Sequence, residues 1–210
     1  EGGTVLSTLQ PGLATLFALD DGSVAMKTWS RSDDALLERV RSARQNGVPL
    51  LERDSRTGLI VPGALVGRWG EGNWGGSQDS RLRSVRAGAG LQEWAGRRFL
   101  VFGYFSSATP SAMAVVLASY GCQYAMHLDM NAPEHTYLAL YREKDGKLEI
   151  EHLVRTMSVL DKTSAGTTVP RFLAYADNRD FFYLMKKRGA APHDPLQPGI
   201  GGSRASLAAP

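Results

Sequence analysis

Side chains capable of acid–base chemistry cluster in one short stretch, CQYAMHLDMNAPEHTYLALY, at residues 122–141. An apolar run typical of a buried strand ends at Asp129, and Glu134 and His135 follow closely. Two carboxylates held several ångströms apart can cleave a glycosidic bond, one as the acid and the other as nucleophile or base. A histidine beside a carboxylate can carry a proton. Asp129 and Glu134 are therefore the candidate acid and base, and His135 or His127 the candidate proton carrier.

The same residues have simpler explanations that their spacing leaves open. His127 and Asp129 lie two positions apart, so a regular strand places them on one face. Asp129 and Asn131 are ordinary turn formers that bond to their own backbone, and Glu134 and His135 can simply face water. An Asp/Glu/His trio could also ligate a metal, but this spacing matches no strong metal motif. We therefore predict neither a metal nor a cofactor.

A strand–helix–strand unit leads into this stretch. Residues 98–105 form the most strand-like run in the chain. Thr109 and Pro110 are typical of an N-cap and a first helical position, and Gly121 is typical of a left-handed helix end. The helix carries apolar residues nearly all round, which predicts that it is covered on most sides. If the strands at 98–105 and 124–129 share a sheet, we expect them to be parallel.

Two hairpins are predicted after this unit. Residues 136–142 are expected to return antiparallel to the strand at 124–129, through a turn at Ala132-Pro133. Asp145-Gly146 then predicts a second hairpin into residues 147–154. Together with the preceding unit, these elements predict the α+β class, with a mixed β-sheet and helices packed on it.

The N-terminal part predicts further short strands. Asp21-Gly22 between apolar runs is a strong hairpin signal. Residues 33–44 carry Leu36, Leu37 and Val40 at helical spacing, which predicts a helix capped by Ser32 or Asp33.

A glycine-rich segment at residues 67–78, GRWGEGNWGGSQ, is predicted to be a loop because no regular element tolerates that glycine content. It contains Trp69 and Trp74. Exposed indoles there would stack on a flat ligand such as a sugar ring, since they offer contact area at little entropic cost. Alternatively, both indoles fold back onto the core and fix the loop.

Composition bounds the remaining possibilities. The chain has 210 residues and a net charge of +3, which is too small and too dispersed to indicate nucleic-acid binding. No apolar run approaches the roughly 20 residues that span a bilayer. The single cysteine, Cys122, excludes an internal disulfide and is expected to be a small buried residue. The chain begins at Glu1 rather than Met, which we interpret as a processed or truncated product.

Domain organisation follows from a change in composition near the end of the chain. Residues 1–188 are predicted to form one domain. Residues 189–210, GAAPHDPLQPGIGGSRASLAAP, hold few large apolar side chains, so they predict a flexible tail or a segment that docks on a partner.

Several motifs in order resemble the phosphodiester glycosidase family, which includes the enzyme that removes the covering sugar from phosphate-masked mannose. Leu128-Asp129, after a helix and a short apolar strand, is similar to the family's hallmark, and SVRAGAG at residues 84–90 to its arginine-containing strand. Arg-Gln-Asn at 44–46, Leu-Asp-Met-Asn at 128–131 followed by a histidine, and NRDFFYLMKKR at 178–188 resemble a bacterial branch.

This resemblance implies a secreted, periplasmic or cell-surface hydrolase that cleaves or binds a sugar linked through phosphate. Its implied phosphate-binding residues are Arg86 and Arg44, since guanidinium binds phosphate through two parallel hydrogen bonds. The residues implied to bond sugar hydroxyls are Gln45, Asn46 and Asn131.

Two departures from the family pattern favour an alternative. Residues 130–133, Met-Asn-Ala-Pro, replace a glycine-rich turn, and an upstream Asn-Gly-Gly-Phe-type strand has no equivalent. The first half of the domain would then be missing or supplied by another chain. The alternative is a non-catalytic glycan-binding or structural subunit of a surface assembly. Convergence of Arg86 and Asp129 in a pocket would favour the hydrolase, and their separation would favour the subunit.

Overall fold

The computed structural model describes residues 4–68, 81–173, 175, 177 and 181–185, and the predicted α+β class is confirmed. Trp69, Trp74 and the predicted tail at 189–210 lie outside the described residues. No helix in the described ranges is long and apolar enough to cross a membrane.

The N-terminal sheet contains three strands in the order β2-β1-β3. They are β1 (Ala14–Leu19), β2 (Val24–Thr28) and β3 (Val40–Gln45). The predicted hairpin joins β1 to β2 antiparallel. Gly22 adopts φ +78° in its turn, and the carboxylate of Asp21 accepts a hydrogen bond from the amide of Ser23 at 2.7 Å.

The predicted helix over residues 33–44 is wrong in its second half. A 3₁₀ helix spans Arg31–Arg39, and the chain then enters β3. The residue that caps this helix is Ser30, not the predicted Ser32 or Asp33. The buried Asp33 accepts from the backbone N–H of Ser30 at 2.8 Å and from Lys27 Nζ at 2.6 Å. Leu37 stays exposed. Because pairing with β1 satisfies the backbone from Val40 onward, sheet formation overrides the helical spacing.

The second sheet has five strands in the order β5-β4-β8-β6-β7. They are β4 (Pro49–Arg53), β5 (Ile60–Pro62), β6 (Ser84–Trp94), β7 (Arg97–Ala108) and β8 (Cys122–Met130). Each hydrogen-bonded pair in this sheet is antiparallel. Since β6 is antiparallel to both β7 and β8, those two strands run parallel with β6 between them. The expected parallel relation is therefore present without direct pairing.

One α-helix, α1 (Pro110–Ser119), connects β7 to β8. Its start is as predicted: the side chain of Thr109 accepts from the amide of Ala112 at 3.1 Å, and Pro110 occupies the first turn. Gly121 follows with φ +74°. The helix buries Met113, Ala114 and Leu117. Its outer side was expected to be covered, but Val115, Val116 and Tyr120 are exposed.

Two apolar clusters place the five-stranded sheet in the middle of three layers. One cluster joins it to α1 and consists of Leu50, Leu51, Val66, Ala108, Met113, Ala114, Leu117, Cys122 and Ala125. The other joins it to the N-terminal sheet and consists of Ala14, Leu16, Met26, Ala87, Ala89, Met126 and Leu128. The buried position of Cys122 is as predicted, and burial raises the pKa of its thiol.

The C-terminal part corrects one predicted hairpin and confirms the other. After β8, a 3₁₀ turn at Pro133–His135 leads the chain away, and β9 (Ala139–Lys144) pairs with β10 (Lys147–His152) instead of β8. The hydroxyl of Thr136 donates to the carbonyl of Ala132, which closes this turn. The Asp145-Gly146 hairpin between β9 and β10 is confirmed. A 3₁₀ helix at Arg155–Leu160 and a small hairpin of β11 (Lys162–Ser164) and β12 (Thr167–Val169) follow.

A tight contact between β6 and β8 gives the first testable prediction. A methyl group on Gly90 would lie 2.7 Å from Sγ of Cys122 and 3.2 Å from the carbonyl of Tyr124. We expect Gly90→Ala to lower the free energy of unfolding by about 1–3 kcal/mol, because overpacking forces the two strands apart. Urea unfolding measures the change. Gly67→Ala is the control, since a methyl group there meets nothing within 4 Å; equal losses in both variants would contradict the prediction.

Candidate functional site

A β-bulge shapes the end of β8 that carries the candidate residues. β6 pairs Arg86 with Met130 and Gly88 with His127, so β8 contains one more residue than β6 over this interval. The extra residue breaks the alternation of side chains along the strand. His127 and Met130 therefore both contact Arg86. The prediction that His127 and Asp129 share one face is wrong for this reason.

Arg86 lies at the centre of this arrangement and is fully buried. Its Nε donates to the carbonyl of Ala108 at 2.9 Å and its Nη2 to the carbonyl of Leu82 at 3.2 Å. Its Nη1 lies 3.2 Å from both Nε2 of His127 and Sδ of Met130. The guanidinium therefore forms its hydrogen bonds inside the protein and does not reach the surface. The resemblance had implied that it would bind a phosphate there.

His127 is the buried neighbour of that cation. Burial, and then the positive charge of Arg86, lower the pKa of His127 to about 3. The imidazole is consequently neutral at ordinary pH. Its Nε2 accepts a hydrogen bond from Arg86, and this contact stabilises the pairing of β8 with β6. Because His127 is fully buried, it cannot exchange protons with a ligand at the surface.

Asp129 and His135 do lie together at the surface. The carboxylate of Asp129 accepts from the amide of Met130 at 2.8 Å, and its side chain is 45% exposed. Nδ1 of His135 lies 3.9 Å from Oδ1 of Asp129 and 3.0 Å from the carbonyl of Met130. A carbonyl only accepts hydrogen bonds, so Nδ1 carries the hydrogen in that contact. Nε2 of His135 is then the nitrogen left to exchange protons.

Arg44 supplies the positive charge next to Asp129. It belongs to β3, so it reaches the site from the N-terminal sheet. Burial lowers the pKa of Arg44, while the carboxylate of Asp129 acts in the opposite direction. The guanidinium carbon of Arg44 also lies 5.3 Å from the ring centre of Phe182. The charge of Arg44 therefore interacts with Asp129, whose carboxylate lies 3.9 Å from the imidazole of His135.

Gln45 and Asn46, the two residues after Arg44, form hydrogen bonds that connect different parts of the fold. Nδ2 of Asn46 donates to the carbonyls of His127, at 3.1 Å, and Leu128. Nε2 of Gln45 donates to the carbonyl of Gln10 and to the hydroxyl of Thr15, both at 2.9 Å. Asn46 thus joins β3 to β8, and Gln45 fixes the segment before β1. Both were implied to bond sugar hydroxyls, but the structure gives their amides internal partners.

Asn131 and Glu134 follow β8 at the surface. The amide of Asn131 donates to the carbonyl of Val85 at 2.8 Å, and its φ of +75° is one that glycine adopts most readily. The backbone thus keeps a left-handed conformation where the resembled family has glycine. The carboxylate of Glu134 is exposed and, among the described residues, contacts neither Asp129 nor His135.

A metal site needs several ligand side chains close together. Within the described part of the chain, no group of three or more His, Cys, Asp or Glu side chains could hold an ion.

Sequence reasoning missed a buried polar cluster centred on Asp161. One carboxylate oxygen lies 2.9 Å from Nε2 of His152, and the other accepts from the hydroxyl of Tyr137 at 3.0 Å and the amide of Arg171 at 3.3 Å. The side chain of Asp161 is only 3% exposed. Burial, followed by the Tyr141 hydroxyl and the Asp161 carboxylate, raises the pKa of Tyr137, so its hydroxyl remains a donor.

Arg171 connects this cluster to the candidate site. Its Nε donates to Asp177 at 2.9 Å, and its Nη1 donates to the carbonyl of Glu134 at 2.9 Å. The second bond fixes the 3₁₀ turn that carries His135. Arg171 is therefore a positioning residue for the site. No spacing signal marks it, because the members of the cluster lie far apart in the sequence.

Two surface depressions lie away from Asp129, on either side of Arg98. Their volumes are about 320 and 250 Å³, and Leu91 lines both. Tyr124, at the opposite end of β8 from Asp129, lines the smaller one. Neither depression is lined by Arg86 or Asp129. Arg86 and Asp129 differ in exposure, since Arg86 is fully buried and the side chain of Asp129 is 45% exposed.

Comparison with known proteins gives no relative from which a role could be transferred. No family model matches the chain, and neither a curated protein nor a solved structure matches it. The family resemblance consequently rests on the short motifs alone. The function has to be argued from the contacts of Arg44, Asp129 and His135.

Proposed function

We propose that this chain binds and hydrolyses a sugar linked through phosphate, at the end of β8. The observation that supports the proposal is the half-exposed carboxylate of Asp129, which has the imidazole of His135 3.9 Å away and interacts electrostatically with Arg44. A guanidinium binds phosphate oxygens, and a carboxylate beside an imidazole accepts and relays protons.

The reaction needs fewer catalytic groups than an ordinary glycosidase does. Water attacks the anomeric carbon, Asp129 accepts a proton from that water, and the bond from the sugar to the phosphate oxygen breaks. The phosphate monoester leaves with the electron pair and remains beside Arg44. Because this leaving group is already a stabilised anion, no second carboxylic acid has to protonate it. The proposed reaction therefore needs no acid at Glu134.

A second candidate function is a non-catalytic module that binds the same class of sugar. The burial of Arg86 favours it, since this cation is committed to main-chain carbonyls, His127 and Met130. A site that lacks a second phosphate-binding arginine can bind a ligand without stabilising the transition state. On the resemblance alone, we place either form of the protein outside the cytoplasm, as a secreted or cell-surface component.

Hydrolysis of an aryl phosphodiester of a sugar, compared between wild type and Asp129→Asn, tests the proposal. We expect the substitution to lower the rate by about 10²- to 10⁴-fold, because the amide accepts no proton from water. Asp145→Asn, in the turn between β9 and β10, is the matched control and should retain the wild-type rate. Its φ of +52° suits asparagine as well as aspartate.

Binding separates the two candidate functions. If the wild type does not hydrolyse the substrate but binds it, and Arg44→Gln weakens that binding, the non-catalytic module is correct. If the wild type neither hydrolyses nor binds it, both proposals are wrong.

A further inference from the structure

The strand β7 forms one edge of the five-stranded sheet. It is 12 residues long and pairs with β6 along ten positions, from Ser84↔Ala108 to Trp94↔Arg97. Within the described ranges, no strand pairs with its other side. Half of its backbone N–H and C=O groups therefore point away from the sheet without a strand partner.

The composition of this edge is unusual for a strand that faces water. Residues 99–105, FLVFGYF, contain no charge and no proline, and all seven are half-buried. Native edge strands are commonly protected by lysine, by proline, by a bulge or by being short. Here the one bulge lies near the C-terminal end, where Ser84↔Ala108 changes to Arg86↔Phe105. The apolar middle of β7 has the composition of an interior strand.

A run of exposed apolar side chains reaches β7 through Leu184. Residues 181–185 have the sequence FFYLM, and all five side chains are between 43% and 80% exposed. Leu184 reaches the larger depression, where Phe99 and Leu100 of β7 also lie. Contiguous exposed apolar surface of this kind marks an interaction site in a native protein.

We propose that a second copy of this chain pairs with the outer edge of β7, strand against strand and antiparallel. The uncharged middle of this edge, residues 99–105, carries nothing that would repel a copy of itself, and charge selects the antiparallel direction. The cations of β7, Arg97 and Arg98, both lie at its N-terminal end, and its other end is Ser106-Ser107-Ala108. An antiparallel pair centred on Phe102 places each arginine opposite uncharged residues of the other copy. A parallel pair would place the arginines opposite one another, which is unfavourable.

The same geometry predicts how salt acts on the dimer. Nη2 of Arg83 donates to the carbonyl of Ser107 at 3.1 Å, so Arg83 lies at the end of β7 that would face Arg98 of the second copy. The central contacts are apolar, and the charges at the rim are alike. Screening by salt should therefore strengthen the dimer.

Sedimentation equilibrium of the wild type tests the proposal. We expect a concentration-dependent mass of twice 22.8 kDa. Tyr104→Lys is expected to weaken association by at least tenfold, because it places a charge in the middle of the new strand pair. The control, Tyr120→Lys on the exposed side of α1, makes the same chemical change away from the edge and should associate like wild type.

Hydrogen exchange of the wild type supplies a second measurement that needs no variant. The amides of residues 99–105 that point away from β6 should become protected as the protein concentration rises. A wild type that stays monomeric, or a dimer that Tyr104→Lys leaves intact while these amides exchange at one rate throughout, would refute the proposal. Neither result bears on hydrolysis at Asp129, so the two proposals stand or fall separately.

Discussion

Asp161→Ala is expected to lower the free energy of unfolding by about 3–5 kcal/mol, because it removes one partner from a buried, charged network. The carboxylate accepts from the Tyr137 hydroxyl, the Arg171 amide and the His152 ring, and its side chain is 3% exposed. Alanine would leave these donors in the interior without an acceptor. An unpaired buried polar group costs more than a hydrogen bond contributes.

Urea unfolding of wild type and variant measures this loss. Asp20→Ala is the control, because Asp20 pairs with Arg39 at the surface with both side chains 50% exposed, and such pairs contribute about 0–1 kcal/mol. Asp161→Asn should fall between the two, since its amide keeps one acceptor oxygen. If Asp161→Ala and Asp20→Ala cost the same, the cluster does not stabilise the fold in the way described.

The second large effect is a loss of stability in acid that depends on His127. Its pKa is about 3 in the folded protein, against an ordinary value of 6.5, because of burial and the charge of Arg86. Above pH 6.5 the imidazole is neutral in both states, and its contribution to stability is complete. As the pH falls from 6.5 towards 3, His127 binds a proton in the unfolded chain but stays neutral in the folded protein. The free energy of unfolding therefore decreases, on the order of 5 kcal/mol over the full range.

His127→Gln isolates this contribution, because glutamine does not titrate. We expect the variant to be less stable at neutral pH but to lose less stability between pH 6.5 and 3, as measured by urea unfolding at several pH values. Carboxylates such as Asp54, whose pKa is lowered by hydrogen bonds from Thr57, titrate alike in both proteins. Parallel curves for wild type and variant would show that His127 is not the group responsible.

Local signals predicted the elements whose chemistry is contained in a few adjacent residues. The turn at Asp21-Gly22 and the helix start at Thr109-Pro110 are where the sequence places them. In both cases the side chain or φ angle that forms the element belongs to the element itself. The α+β class follows from these elements.

The local sequence patterns gave wrong predictions where a residue pairs with a distant part of the chain. Leu36, Leu37 and Val40 have a helical spacing, but the chain from Val40 onward becomes β3, because β1 offers it a strand to pair with. The bulge in β8 depends on how β6 pairs with it, and no spacing within β8 reveals it. Consequently the faces of His127 and Asp129 were assigned wrongly, although their place at the end of a strand was right.

The candidate site shows the same division. Asp129 and His135 were found because they are close in the sequence and remain close in space. Arg44 was named from resemblance, and it lies near Asp129 only because the two sheets pack together. Arg171 and Asp161 were missed, since each contacts residues at a distance of ten or more positions along the chain.

The bonds from Asn46 to β8 have a consequence for the order of folding. Asn46 lies 81 and 82 residues before the two carbonyls that its side chain binds. Closing so long a loop costs entropy that no nearby contact offsets, so this connection forms after the hairpins. Arg44 and Asp129 come together in that same late step. During refolding, the proximity of this cation to this carboxylate therefore reports the docking of the two sheets rather than the formation of either one.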